Sequence, residues 1–241
     1  MGKKFSKHLV ESISFPAKLI ILLWVVHLFQ FLTGLSLGAW GVYPREVFGL
    51  RGVILSPLIH ADWGHLLSNT PPLFVLTFMI MFFYRRVAVP SFIMIYLLTG
   101  LTVWAFARDQ VFHIGASGVV YGLVAFVFWN GIFRWNIKSI ALSLVVAFYY
   151  GGMMIGVLPG QEGISWESHL FGAIVGILTS FWYKKTIEKD EEKKVYSWEQ
   201  EQVEEPKHFF EQDLFERTKE ERQKEKEQQN WLSDWNSDRT W

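Results

Sequence analysis

A serine and a histidine far apart in the chain have the types and surroundings of a nucleophile and its base. Ser117 lies in the stretch FHIGASGVVYG, between glycines and at the start of an apolar run, and His169 opens the stretch HLFGAIVG. A serine hydroxyl is a useful nucleophile only with a base within hydrogen-bond reach, and a neutral histidine can be that base near physiological pH. Because the chain has no cysteine, a thiolate nucleophile and a disulfide are excluded.

Two further polar residues, His65 and Asn69, are spaced so that both project from one face of a helix. Acyl transfer creates an oxyanion, and hydrogen-bond donors already aimed at that oxygen supply a large share of catalysis. An Asn amide, a His N–H and the backbone N–H groups at a helix start near Ser117 would meet that need. The four residue types together therefore indicate acyl-transfer chemistry.

Six apolar runs predict the elements that position these residues. Each is close to the roughly 20 residues that cross a bilayer, and they lie at about 15–37, 65–84, 90–107, 116–134, 138–158 and 165–183. A soluble domain would need helices buried on all sides in every segment, and the polar remainder of the chain could not cover them. We therefore expect an all-α membrane protein with six transmembrane helices.

The charges between the runs predict the orientation. Basic residues gather before the first run and after the second, fourth and sixth, whereas the other connections hold only Arg45, Arg51 and Arg108. By the positive-inside rule both termini are cytoplasmic. The short basic start runs directly into a span and does not resemble an organelle presequence. A bacterial plasma membrane is therefore the expected location.

In this orientation Ser117, His65 and His169 lie at one level, just beneath the outer surface of the membrane. Polar residues inside spans are costly, which makes them functional candidates when they can face one another within a bundle. We expect no carboxylate at this depth to complete a triad. The pattern predicts a Ser–His dyad.

Small residues indicate that the fourth and sixth spans pack closely. Gly118 and Gly122 form one stripe, and Gly172 and Gly176 form a matching stripe, which lets two helices approach each other. Tyr121 falls on the same helical face as the serine and could pack against an imidazole. The two helices could thus bring the serine and the histidine together.

The joint pattern resembles the rhomboid intramembrane serine proteases. It consists of GASG at 115–118 with Tyr121, HADWGHLLSN at 60–69 and HLFGAIVG from 169, and it covers about residues 55–180. The resemblance implies hydrolysis of a peptide bond in or near a substrate's transmembrane segment, without metal or cofactor. It implies the following roles: Ser117 nucleophile, His169 general base, His65 and Asn69 oxyanion-hole donors, Tyr121 the ring on His169, Gly115 and Gly118 support, and His60 a structural or water-binding position.

One feature departs from the family. The long first outer loop of bacterial rhomboids usually holds a Trp-Arg pair, which this chain lacks; the nearest residues are Trp40, Tyr43 and Arg51. The way this loop is anchored therefore cannot be carried over from the family pattern.

Other interpretations use the same residues. Ser117 could be a helix cap, and Asn69 could join two helices by a hydrogen bond. His60, Asp62 and His65 could bind zinc, although the H-E-x-x-H motif of zinc proteases is absent. A catalytically silent rhomboid relative that binds transmembrane helices is the main alternative function. A transporter or channel would need charged or broken midplane helices, which these runs lack.

The charge pattern predicts three regions: a cytoplasmic segment at 1–14, the six-span domain at 15–183 and a charged cytoplasmic tail at 184–241. The tail is expected to be helical or partly disordered, and Pro206 could open a helix in it. The expected partners are transmembrane protein substrates and the lipid bilayer, with no nucleic acid.

Overall fold

The computed structural model describes residues 2–160, 165–186, 188 and 218–237. Within these ranges the regular structure is helical, and the one β-pairing is an isolated bridge between Val42 and His113. The predicted all-α class is therefore confirmed. The α-helices are α1 (Gly2–Thr33), α2 (Gly52–Leu55), α3 (Trp63–Phe83), α4 (Ala88–Phe106), α5 (Ser117–Arg134), α6 (Ile137–Tyr150), α7 (Trp166–Tyr183) and α8 (Lys219–Ser237). Short 3-10 helices occupy Gly38–Trp40, Val47–Arg51, Ser56–Leu58 and Gly151–Val157.

Five helical segments in the described part of the chain are long and apolar enough to cross a membrane. They are Phe5–Thr33, Trp63–Phe83, Ala88–Phe106, Ser117–Arg134 and Ile137–Val157. The sixth predicted span coincides with α7, whose first turn carries Glu167, Ser168 and His169. The expectation that no carboxylate lies at the depth of His169 was therefore wrong. These polar side chains lower the mean hydropathy of α7 below that of the other five segments, so the count of six remains a prediction.

The helix that carries Ser117 lies at the centre of the bundle. Of the most apolar stretch of α5, 61% is buried inside the protein, against 17% for the corresponding stretches of α1 and of α6 with the 3-10 turn after it. The core forms where α3 and α4 pack against α5, and its fully buried side chains include Leu66, Leu76, Ile80, Ile95, Leu123 and Phe126. A rigid central helix is a suitable support for a reactive side chain at its end.

The backbones of α5 and α7 touch through glycines. A methyl group added to Gly172 would overlap the carbonyl oxygen of Gly118, and one added to Gly176 would overlap that of Gly122. The two helices also make the most extensive contact of any helix pair in the described residues. The absence of side chains at these positions therefore sets the distance between the helices.

The loop between α1 and α3 is held by a pairing that the sequence does not show. The guanidinium carbon of Arg51 lies 4.6 Å from the centroid of the Trp40 ring, and Arg51 Nη2 donates to the carbonyl of Ala39 at 3.0 Å. Between Trp40 and Arg51 in sequence, Val42 exchanges two backbone hydrogen bonds of 2.9 Å with His113, which is in the loop between α4 and α5. The chain thus lacks an adjacent Trp-Arg pair but brings a tryptophan and an arginine together in space.

The chain divides into two compact units, residues 1–192 and 193–241. In the second unit, α8 is largely exposed, and its Trp231 and Trp235 rings stack with centroids 5.5 Å apart. The helix predicted to begin at Pro206 lies outside the described residues. The predicted region boundaries at 14/15 and 183/184 stay predictions.

Candidate active site

Ser117 and His169 form a direct hydrogen bond. Ser117 is the first residue of α5, and His169 lies in the first turn of α7. Ser117 Oγ is 2.8 Å from His169 Nε2, and the histidine is buried, with 7% of its surface exposed. The glycine contact between the two helices begins one residue after Ser117, so the same close approach that joins the backbones also joins these side chains.

The carbonyl of Gly156 fixes the orientation of the imidazole. His169 Nδ1 lies 2.8 Å from Gly156 O, and because a carbonyl can only accept, Nδ1 must carry the ring hydrogen. Nε2 is then unprotonated and accepts the hydrogen bond donated by the Ser117 hydroxyl. This is the tautomer that general-base catalysis requires.

Gly156 was missed by sequence reasoning, because its contribution is a backbone carbonyl. It belongs to the 3-10 helix Gly151–Val157, in the stretch GGMMIGV. A Cβ at Gly156 would meet the Tyr121 hydroxyl and lie 3.3 Å from His169 Nδ1. Only glycine therefore lets this turn come close enough for its carbonyl to reach the ring.

The Tyr121 ring covers one face of the imidazole. The two rings are stacked, with centroids 4.1 Å apart and planes inclined by 8°. The Tyr121 hydroxyl donates to the carbonyl of Met153 at 2.7 Å, in the same 3-10 helix that holds Nδ1. One short turn therefore orients both the imidazole and the ring that packs on it.

His65 and Asn69 reach the site from α3. The Asp62 side chain caps this helix by accepting from the backbone N–H of His65 at 2.9 Å, and the Asn69 side-chain amide donates to the carbonyl of His65 at 2.9 Å. One amide hydrogen of Asn69 is left for another acceptor. Gly115 has a φ of +104°, and a Cβ there would lie 2.6 Å from the His65 ring. The His65 ring thus packs on the backbone just before Ser117.

A single cavity of about 670 Å³ connects these side chains. Ser117, His169, His65, Asn69 and Tyr121 all line it. Its remaining lining includes the polar residues Asp62, Arg108 and Ser165 and the apolar residues Val111, Phe112 and Met153. The cavity is large enough for water and for a short peptide segment, as hydrolysis of a peptide bond would require.

His60 lies behind the cavity and does not line it. Its ring is fully buried and packs edge-on against the His65 ring, with centroids 5.0 Å apart. Burial, and next the nearby His65, lower the pKa of His60 to about 4, so it is neutral at physiological pH. Among the described residues no group of three or more His, Asp or Glu side chains is placed to hold a metal ion.

Comparison with known proteins connects this arrangement to one family. The Rhomboid domain model matches residues 48–186, a range that includes every residue of the candidate site. An uncharacterized protein of Mycobacterium tuberculosis is 38% identical over 170 residues, 67% of this chain and 71% of its own length. A protein of Mycobacterium leprae, also uncharacterized, is 34% identical over 175 residues, 66% of each chain. A protein of Acanthamoeba polyphaga mimivirus named as a rhomboid protein is 28% identical over 146 residues, 56% of this chain and 78% of its own.

Acid should destabilise the fold through His60. Its pKa is about 4 in the folded protein and 6.5 in an unperturbed histidine. Between these pH values the unfolded chain binds a proton that the folded chain does not, so stability falls as the pH drops from 6.5 to 4. The full effect is about 3 kcal/mol. Thermal unfolding in detergent should show a steeper fall of Tm over this window for wild type than for His60→Gln; parallel curves would contradict the prediction.

Proposed function

The chain belongs to the rhomboid family, and from this premise we propose that it is an intramembrane serine protease that cuts other membrane proteins in or near their transmembrane segments. The observation that carries the proposal is the 2.8 Å hydrogen bond between Ser117 and an imidazole whose tautomer is set by Gly156. A serine with only a structural role would not require a hydrogen bond to an imidazole whose tautomer is fixed for accepting a proton.

In the acylation step, the Ser117 oxygen attacks the carbonyl carbon of the scissile peptide bond while His169 Nε2 takes the hydroxyl proton. The carbon–nitrogen bond then breaks, and His169 gives the proton to the leaving amine. The products are an acyl-enzyme ester and a new amino terminus. Water, activated by His169 in the same way, hydrolyses the ester and regenerates Ser117.

The tetrahedral intermediate needs donors for its oxyanion. Candidates are the second amide hydrogen of Asn69, a ring N–H of His65 and the backbone N–H groups at the start of α5, where the helix dipole also favours negative charge. Loss of one such donor typically costs 10²- to 10³-fold in rate.

The partner of His169 Nδ1 is a neutral carbonyl and not a carboxylate, so it orients the ring but stabilises the imidazolium less than an aspartate would.

We place the reaction near the outer face of a bacterial plasma membrane, with six spans and both termini in the cytoplasm. A helix of the length of α7, 18 residues, extends about 27 Å and nearly spans the hydrocarbon region. Its polar first turn would then lie at the outer edge, where the 670 Å³ cavity can admit water. We assign no metal or cofactor to the reaction.

Cleavage should depend on both members of the dyad. Purified wild-type protein in liposomes is expected to cut a labelled model transmembrane substrate, whereas Ser117→Ala and His169→Ala should lose at least about 10³-fold in rate. The control is Ser143→Ala, another buried serine, whose hydroxyl donates to the carbonyl of Phe128 away from the cavity. This variant should retain activity, and chelators should have no effect.

Two outcomes would contradict the proposal. Cleavage that survives Ser117→Ala would exclude Ser117 as the nucleophile. Binding of the substrate without any cleavage by wild type would favour the alternative function, a catalytically silent relative that recognises transmembrane helices.

The absence of native cysteine makes the topology directly measurable. Single cysteines at the exposed positions Ser6, Ser36 and Lys185 should respond differently to a membrane-impermeant maleimide applied to intact cells. Ser36→Cys should be labelled, whereas Ser6→Cys and Lys185→Cys should be labelled only after lysis. If Lys185→Cys is labelled from outside, α7 does not cross the membrane as the sixth span.

A further inference from the structure

An ion pair between a half-exposed arginine and a buried carboxylate joins the loop before Ser117 to the helix that carries His169. Arg108 Nε lies 3.2 Å from Glu167 Oε1, and the Glu167 side chain is only 5% exposed, whereas that of Arg108 is 51% exposed. Glu167 is two residues before His169 in α7, and Arg108 is in the loop that leads from α4 to α5. Separating the two side chains would leave a buried carboxylate without its counter-charge, which costs free energy, so the ion pair is expected to stay formed.

A chain of hydrogen bonds makes a second link between the same two elements. His113 Nδ1 lies 2.5 Å from Ser165 Oγ, which in turn lies 2.7 Å from Ser168 Oγ. His113 is almost fully buried, and its backbone is paired with Val42 in the loop between α1 and α3. Burial lowers the pKa of His113, so the link is made by a neutral ring.

The two links act on the two partners of the Ser117–His169 hydrogen bond. On one side, both links start in the loop segment 108–116, which leads directly into Ser117. On the other side, Glu167 is in the first turn of α7 and Ser165 immediately precedes it. We propose that Arg108 and Glu167 are positioning residues, which hold this loop against α7 and thereby keep Ser117 Oγ in line with His169 Nε2. The inference rests on the proposed function, because it concerns the reactivity of Ser117.

Different contacts hold the imidazole of His169 and the loop before Ser117. Gly156 and Tyr121 hold the imidazole from the side of the 3-10 helix, and the glycine contact sets the distance between α5 and α7. Neither of these constrains the loop on the outer side of Ser117. A displacement of the reacting atoms by about 1 Å can lower a rate by about 100-fold, so a clamp on that side has a measurable effect.

The test is the second-order rate at which Ser117 reacts with a small fluorophosphonate, measured on the full-length protein in detergent together with its Tm. This reagent reports an activated serine without requiring recognition of a peptide. The variants are Arg108→Gln, Glu167→Gln, the double variant with both changes, and Arg108→Lys. The matched control is Asp109→Asn. Asp109 is next to Arg108 in the loop, and this change removes its exposed ion pair with Arg45.

We expect both single glutamine variants to react at least about tenfold more slowly than wild type. Arg108→Lys should recover most of the rate, and Asp109→Asn should react like wild type. Arg108→Gln should also lower the Tm, because it leaves a buried carboxylate unpaired. The double variant removes that unpaired charge, so its Tm should return toward wild type while its reaction stays slow.

Three results would overturn the inference. Single variants that react at the wild-type rate would show that the clamp does not position Ser117. A double variant that regains its rate together with its Tm would show a purely structural role. If wild type itself does not react while correctly folded, the proposed function fails, and the positioning role fails with it.

Discussion

The whole site depends on the contact of two helix backbones at glycine. Gly118 and Gly122 of α5 face Gly172 and Gly176 of α7 so closely that an added methyl group would overlap a carbonyl oxygen. Ser117 precedes the first of these glycines, and His169 lies one turn before Gly172. In a membrane, where no hydrophobic effect drives helices together, such van der Waals contact is a main source of association. The interaction that stabilises the bundle thus also sets the distance between the hydroxyl and the imidazole.

The polar groups of the site are gathered at one end of this helix pair, and the apolar core lies below them. The central polar groups of the site have partners: Ser117 has the imidazole, the imidazole has Gly156 and Tyr121, and one carboxylate oxygen of Glu167 has Arg108. The polar first turn, with Glu167, Ser168 and His169, also makes α7 less apolar than the five segments that are long and apolar enough to cross a membrane.

The sequence was sufficient for those features that have a signal in side-chain type and spacing. Apolar runs gave the long helices, and glycines at small-xxx-small spacing indicated which two helices meet. Serine and histidine in those helices are brought together by the structure. Other features have no such signal. Every residue has a backbone carbonyl, so the contribution of Gly156 leaves no trace in side-chain type. The pairs of Arg51 with Trp40 and of Arg108 with Glu167 each depend on a loop, and the path of a loop cannot be read from composition.

The most direct measurement of the central claim is the position of a covalent adduct. Folded protein in liposomes would be treated with a fluorophosphonate, digested and mapped by mass spectrometry, because such reagents react preferentially with a serine that an adjacent base has activated. We expect one adduct per chain, on Ser117, and none after His169→Ala. An adduct on another serine of the cavity, such as Ser165, or the absence of any adduct on folded wild-type protein would contradict the claim that Ser117 is an activated nucleophile.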